Sequence, residues 1–234
     1  MLASKLFKMI EFKVPMELAL ATDPVGFMGP GDPEKFEIRK ALVVLDYHQE
    51  KTPEYDLVIS HHPPLVNPTL PTYVLHSNWD IVPGGANDAL ADSLKLEVND
   101  FFDDKTGIGR ICSTNTSLKD FLKNVSQALK IEQMRIVKGK KEKIKNVAIV
   151  SGFGLNPEYI ELAYEKGMDL LLSGDLTHKG AITAKKLGIS VVDATHQATE
   201  IPGLLRLCKL ISNLNIVVEF RYPGNPWTIF DNKI

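Results

Sequence analysis

The feature that most constrains this chain is a short apolar run closed by two histidines and two prolines, Asp56-Leu-Val-Ile-Ser-His-His-Pro-Pro64. Three consecutive apolar residues at 57–59 are typical of a strand buried on both faces of a sheet. Proline lacks the backbone N–H that a central strand must donate, so the strand must end before Pro63. The sequence therefore predicts that His61 and His62 lie at the carboxyl end of a buried strand, where open α/β sheets bind ligands.

Neighbouring residues on an extended strand point to opposite sides, so this strand end can present two imidazoles to two different positions. Such a presentation suits a pair of metal ions better than a single ion. The alternative is a loop that carries two incidental histidines, and this stretch alone leaves both interpretations open.

Length and composition indicate a globular protein with room for one large or two small domains. The chain has 234 residues, of which 44% are hydrophobic and 24% charged. Its net charge of −2 supplies no overall basic field to attract nucleic acid. The two cysteines lack the spacing of a metal site and suggest a reducing compartment. We see neither a membrane-spanning run nor a signal sequence, and therefore expect a cytoplasmic protein without membrane association.

The second half of the chain alternates regularly between predicted strands and helices. Strands are predicted at 147–150, 169–172, 189–192 and 216–220, with helices between them. This alternation predicts an α/β fold with a mainly parallel, doubly wound sheet. The first half is less regular, and its predicted elements are a helix at 1–11, strands at 41–45 and 56–60, a helix at 89–96, a turn at 103–107 and a helix at 118–129.

Polar residues with metal-binding side chains follow several of these strands. Besides His61 and His62 they are His76, Asp80, Asp175, His178, His196 and Glu200. The spacing between His196 and Glu200 places both on one face of a helix. Imidazole and carboxylate ligands without thiolates favour Zn, Fe, Mn, Co or Ni. Two such ions bridged by a carboxylate would activate water at neutral pH.

Other chemistries have weaker support. Ser151-Gly-Phe-Gly154 resembles half of a dinucleotide fingerprint but lacks the third glycine, and we interpret it as a strand-to-helix turn. The chain has no G-x-S-x-G elbow for serine catalysis. Cys208 is interpreted as a helix core residue. The basic residues at 138–145 are interpreted as a solvated loop between domains.

Several of these segments together resemble the NGG-one-interacting-factor-like (Nif-three-like) dinuclear metal-centre family, whose members are also described as GTP cyclohydrolase type homologues. The segments that carry the resemblance are Ile59-Ser-His-His-Pro63, His76-Ser-Asn-Trp-Asp80, Gly85-Ala-Asn-Asp88, Ser173-Gly-Asp175 with His178, and Asp193-Ala-Thr-His-Gln-Ala-Thr-Glu200. Asp23-Pro-Val-Gly-Phe27 is similar to the family's D-N-V-G-L segment. The family's usual G-H-Y before the last ligand reads Ala194-Thr-His196 here and continues with Gln197.

The resemblance implies two interlinked α/β domains with a dimetal site in the cleft between them. We place the domains at 1–130 and 131–234, with the last strand returning to the first domain. The implied ligands of two divalent first-row metal ions per subunit are His61, His62, Asp80, His196 and Glu200, with Glu200 as the bridge. His76 and His178 are assigned supporting or proton-transfer roles.

The resemblance also implies a homohexameric ring, usually a trimer of dimers. We expect a metal-dependent hydrolase of GTP cyclohydrolase type that acts on a small-molecule substrate. One alternative is a non-catalytic metal-stabilised ring with a binding or regulatory role, associated with nucleic acid or transcription, although the net charge does not support nucleic-acid binding. Another alternative is metal storage or trafficking.

Overall fold

The chain forms two β-sheets covered by helices, as described for residues 1–48 and 54–228 in a computed structural model. The predicted α/β class, with two linked α/β units, is confirmed. No helix in these ranges is long and apolar enough to cross a membrane. The helices are α1 Ala3–Lys13, α2 Ser77–Ile81, α3 Ala86–Ser93, α4 Leu118–Leu129, α5 Pro157–Glu165, α6 His178–Leu187 and α7 His196–Ser212.

The first sheet is built around the strand that precedes the two histidines. Its order is β1, β4, β3, β2, β11, and every pair is parallel except β1 with β4. The apolar run at 57–59 becomes the buried centre of β3, as its pattern predicts. The strands are β1 Gly26–Met28, β2 Lys40–Val44, β3 Leu57–Ser60, β4 Thr72–Val74 and β11 Val217–Arg221.

The second sheet is mixed. Its order is β5, β6, β8, β9, β10, β7, with β8, β9 and β10 parallel and the remaining pairs antiparallel. Helices α3 and α4 cover one face of the sheet, and α5 and α6 cover the other. The strands are β5 Glu97–Phe101, β6 Arg110–Ser117, β7 Arg135–Val137, β8 Lys143–Phe153, β9 Leu170–Gly174 and β10 Ser190–Asp193.

Helix α7 connects the two units. Its early residue Ala198 packs in the core of the second sheet, whereas Leu204, Leu207 and Ile211 pack against the first. The chain then enters β11, which pairs with β2 of the first sheet. The first residues of α7 consequently lie between the carboxyl ends of strands from both sheets.

The boundary predicted at residue 130 does not coincide with the division between the sheets. Strands β5 and β6, at 97–101 and 110–117, pair with β8 and so belong to the second sheet. Residues 229–234 of the predicted second domain lie outside the described residues.

Two local predictions were also wrong. The residues at 138–145 do not link the domains, because Lys140 bonds to Gly188 and Lys143 already begins β8. The glycine turn at 151–154 is largely the end of β8. Helix α7 continues through Pro202, because core packing on both sides of that residue outweighs one lost backbone bond.

Candidate metal centre

Three chain segments meet at the cleft between the sheets. The end of β3 supplies His61 and His62, and the start of α7 supplies His196 and Glu200. The loop before α2 supplies His76, and α2 itself supplies Asp80. The five predicted ligands and His76 therefore lie at one cleft.

Glu200 is at the centre of this cluster. Its Oε1 lies 3.1 Å from Nε2 of His196 and 3.4 Å from Nε2 of His61. Its Oε2 lies 3.3 Å from Nε2 of His62. One buried carboxylate thus contacts three imidazoles, as expected of a group that bridges two cations.

The remaining predicted ligand, Asp80, lies beside His61, with 3.7 Å between its Oδ1 and Nε2 of His61. Asp80 is not part of the two groups of described residues whose ligand atoms lie within 4.8 Å of one another. Those groups are His61, His62 and His76, and His62, His196 and Glu200.

The outer nitrogens of two ligands are held by carboxylates. Nδ1 of His62 lies 2.7 Å from Asp46, and Nδ1 of His196 lies 2.6 Å from Asp175. A carboxylate at Nδ1 fixes the tautomer that leaves the Nε2 lone pair free for a metal. Both rings are therefore oriented by a carboxylate at Nδ1.

The other two imidazoles follow the same rule. Nδ1 of His61 lies 2.7 Å from the carbonyl oxygen of Leu75. Nδ1 of His76 lies 2.7 Å from Asp23, whose second oxygen accepts from Ser77. All four rings therefore have Nδ1 held by an oxygen atom.

His178 is not brought into the cluster. It begins α6 as an exposed residue and belongs to neither of the two groups. Thr177, just before it, caps α6 by accepting the N–H of Gly180. The described contacts therefore show that Thr177 caps the helix. They place His178 outside both groups of potential metal ligands.

Three buried atoms of the cluster lack hydrogen-bond partners among the described residues. They are Nε2 of His61, Oδ1 of Asp80 and Oε2 of Glu200. A buried polar atom without a partner costs about 1–3 kcal/mol. Because the three atoms face one cleft and combine imidazole with carboxylate, this donor set fits a divalent metal.

The cluster retains protons when no cation is bound. Burial lowers the pKa of His62, but the neighbouring carboxylates of Asp46 and Glu200 outweigh burial and raise the pKa to about 9. Likewise, burial opposes the bonds to Asp175 and Glu200, which raise the pKa of His196 to about 10. Protons on these imidazoles therefore occupy positions that a metal would take.

The pKa values of the Asp80 and Glu200 carboxyl groups shift in opposite directions. Burial raises the pKa of Asp80 to about 6, because it outweighs the attraction of His61. Burial also acts to raise the pKa of Glu200, but His61 and the bonded imidazoles hold it well below its ordinary value. Glu200 is thus a permanent anion at the centre of the site.

Several residues around the site have a backbone conformation with positive φ. Gly152 has φ +75°, and a Cβ placed on it would lie 2.3 Å from Oε1 of Glu200. Asp175 and Thr195 also have positive φ, at 57° and 68°. Such backbone conformations in non-glycine residues are costly and concentrate at functional sites.

Sequence analysis missed two of the supporting carboxylates. Asp46 directly follows the strand predicted at 41–45, which is the same signal that drew attention to His61. Asp23 lies in the segment used for the family resemblance, but its contact with His76 spans 53 positions. No local pattern predicts that pairing.

Residues 65–222 match Duf34/NIF3 (NGG1p interacting factor 3). The chain belongs to the Duf34/NIF3 family. The match includes His76, Asp80, His196 and Glu200, and begins just after His61 and His62.

Two archaeal relatives cover nearly the whole chain. The GTP cyclohydrolase 1 type 2 homolog of Methanothermobacter thermautotrophicus is 40% identical over 225 residues, covering 95% of this chain and 94% of the relative. The structure of reduced HcgD from Methanocaldococcus jannaschii has a TM-score of 0.84 at 32% identity, covering 94% and 97% of the two chains.

A solved bacterial structure has the same fold as this chain. Staphylococcus aureus protein SA1388 has a TM-score of 0.86 at 23% identity, and the alignment covers 98% of this chain and 99% of that one. At this identity the similarity shows a shared fold. The fold of this chain is thus shared with solved structures from Methanocaldococcus jannaschii and Staphylococcus aureus.

Proposed function

We propose that this Duf34/NIF3 protein binds two divalent first-row metal ions and uses them as a hydrolase. One ion would be held by His61, Asp80 and Glu200, and the other by His62, His196 and Glu200. The observation that carries the proposal is the contact of the single Glu200 carboxylate with three Nε2 atoms, each within 3.4 Å. Zn, Fe, Mn, Co and Ni all suit this donor set.

The chemistry follows from the residues that surround the cleft. When bound, a pair of divalent ions supplies Lewis acidity and lowers the pKa of water to near neutrality. Glu200 orients the imidazoles and balances positive charge, because it stays ionised while buried. His76 has Nδ1 held by Asp23 and Nε2 free, so it can carry a proton to a leaving group. We assign this step to His76 rather than to the exposed His178.

The substrate class is taken from the relatives. Curated Duf34/NIF3 proteins carry the name GTP cyclohydrolase 1 type 2 homolog, and we propose GTP as the first substrate to test. We further propose a cytoplasmic homohexameric ring. Light scattering at two protein concentrations tests the ring, and a mass of one or two chains would contradict it.

Metal content tests the proposed site directly. Protein purified without chelator or nickel affinity is analysed for metals, and wild type is compared with His61→Ala and Glu200→Gln. We expect about two ions per chain in wild type and a loss in both variants, because each removes a proposed ligand. Metal-free wild type, or variants with undiminished metal, would contradict the ligand assignment.

Turnover tests the hydrolase. The two-ion protein is incubated with GTP and other nucleotides, and products are separated by chromatography. Glu200→Gln should abolish turnover, whereas His76→Ala should slow turnover but retain both ions. Full metal occupancy without hydrolysis of any compound would support a non-catalytic metal protein instead.

A further inference from the structure

We propose that the two metal positions are inequivalent, and that Asp46 and Asp175 are positioning residues for only one of them. The inference rests on the proposed dimetal function and assigns roles to two carboxylates outside the ligand set. We define the inner position by His61 and Asp80 and the outer position by His62 and His196, with Glu200 shared.

The inner position is enclosed. The His61 side chain is 1% exposed and that of Asp80 is 13% exposed. Nδ1 of His61 donates to a backbone carbonyl, that of Leu75, which is fixed by the parallel pairing of β3 and β4. Nδ1 of His61 is therefore held by the sheet itself rather than by a carboxylate.

The outer position is closer to solvent and is held differently. The side chains of His62 and His196 are 22% and 24% exposed. Each donates from Nδ1 to a carboxylate, Asp46 or Asp175, and these are about half exposed. Both outer imidazoles are therefore oriented by side chains rather than by the sheet.

This difference matters because the two kinds of support act differently on a ligand. A carboxylate at Nδ1 orients the ring and makes Nε2 a stronger donor, and its removal costs about 10–100-fold in metal affinity. The outer position lacks a carboxylate ligand of its own besides the shared Glu200, so its affinity depends strongly on these two supports. The inner position has Asp80 as a direct anionic ligand.

The backbone at Asp175 supports the assignment. Asp175 has φ +57°, a left-handed conformation that is unfavourable for residues other than glycine. Its carboxylate contacts Nδ1 of His196, 21 positions later. An unfavourable backbone conformation is thus kept at the residue that orients an outer ligand.

The chain contains its own control for this chemistry. Asp23 supports His76 through a contact of the same length and kind, 2.7 Å from carboxylate to Nδ1. His76 is outside the five proposed ligands. Loss of the Asp23 carboxylate should therefore leave both ions bound, whereas loss of Asp46 or Asp175 should remove one.

The test is a metal titration of chelator-stripped full-length protein with Zn²⁺ and, separately, Co²⁺. Wild type, Asp46→Ala, Asp175→Ala and Asp23→Ala are compared by calorimetry, by bound metal per chain and by the visible spectrum of the Co²⁺ form. Asp46→Asn and Asp175→Asn keep an acceptor for Nδ1 but remove its charge, so they separate orientation from donor strength. Circular dichroism verifies that each variant is folded.

We expect wild type to bind two ions, and Asp46→Ala and Asp175→Ala to retain one while the second weakens about 10–100-fold. Each alanine variant should lose the spectral contribution of one Co²⁺, the asparagine variants should weaken less, and Asp23→Ala should match wild type. Folded variants that bind two ions as wild type does would overturn this inference while leaving the proposed function intact. Equal loss of both ions would also overturn it, and metal-free wild type would overturn both proposals.

Discussion

Nε2 of His62 lies 3.1 Å from Nε2 of His196, although 134 positions separate the two residues. His62 follows a strand of the first sheet and His196 begins the helix after the second sheet's β10. Two imidazoles approach this closely only when a proton or a cation lies between them, because two lone pairs repel. Binding at this pair therefore couples the two α/β units.

The first prediction concerns pH. Without metal, the pKa of His62 is about 9 and that of His196 about 10, so both imidazoles are protonated at neutral pH. A metal must displace these protons, and its apparent affinity should rise with pH by about tenfold per unit for each proton displaced, up to those pKa values. Calorimetric titration with Zn²⁺ at several pH values measures the slope.

Proton release provides an independent check on that slope. Zn²⁺ added to weakly buffered stripped protein should acidify the solution, and His62→Ala should release fewer protons per ion. An affinity that stays constant from about pH 6 to about pH 8 would show that the imidazoles are already neutral.

The second prediction concerns Gly152. A Cβ at this position would lie 2.3 Å from Oε1 of Glu200 and 3.3 Å from Nε2 of His196, so Gly152→Ala should displace the shared ligand. Gly167 is a matched control, with φ +74° against +75° at Gly152 and nothing within 4 Å of its added Cβ. Gly167→Ala should cost only the strain of a left-handed alanine, about 1–2 kcal/mol.

Urea denaturation and metal analysis measure both glycine variants. Gly152→Ala should lose more stability than Gly167→Ala and should lose bound metal, whereas Gly167→Ala should keep it. Equal stability losses, with metal retained in both, would mean that the cleft accommodates the methyl group.

The third prediction concerns a buried arginine. The Arg110 side chain, on β6, is only 3% exposed and lies 2.9 and 2.8 Å from the two oxygens of Asp88. It also donates to the carbonyl of Ile81, at the end of α2. Arg110→Met should destabilise the protein by about 3–5 kcal/mol, because it leaves Asp88 partly buried without its partner.

An exposed pair serves as the control for Arg110. Arg206 on α7 pairs with Asp92 on α3 near the surface, and Arg206→Met should cost less than about 1 kcal/mol. The double variant Arg110→Met/Asp88→Leu should recover part of the loss, since it removes the unpaired charge. Thermal denaturation compares all three, and a small effect of Arg110→Met would exclude a structural role for the pair.

Local rules predicted the parts of the fold with strong patterns. The apolar run and the prolines located β3 and its two histidines, and i,i+4 spacing placed His196 and Glu200 on one face. The helix predicted at 118–129 begins after Ser117, whose hydroxyl accepts the N–H of Asp120. These features follow from neighbours in the sequence.

The missed features depend on distant partners or on exposed strands. Strand β5 is exposed along its whole length, so it has no alternation of apolar and polar residues to reveal it. The boundary at 130 was misplaced for that reason, since β5 and β6 join the second sheet. Asp23 and Asp46 were missed as histidine partners because only the folded chain brings them to Nδ1 atoms.

The last prediction concerns Thr195, the residue just before α7. Thr195 has φ 68° and ψ 148°, a region occupied almost exclusively by glycine, and its buried hydroxyl lacks a partner among the described residues. Thr195→Gly should therefore stabilise the protein by about 1–3 kcal/mol, although a glycine loses more backbone entropy on folding.

Thr177 offers the opposite case, since it has φ −74° and caps α6 with its hydroxyl. Thr177→Gly should lower the free energy of unfolding, by a few tenths of a kcal/mol to about 1 kcal/mol. Urea denaturation of the metal-free proteins measures both, and a Thr195→Gly variant less stable than wild type would show that the threonine side chain contributes more than the strain costs.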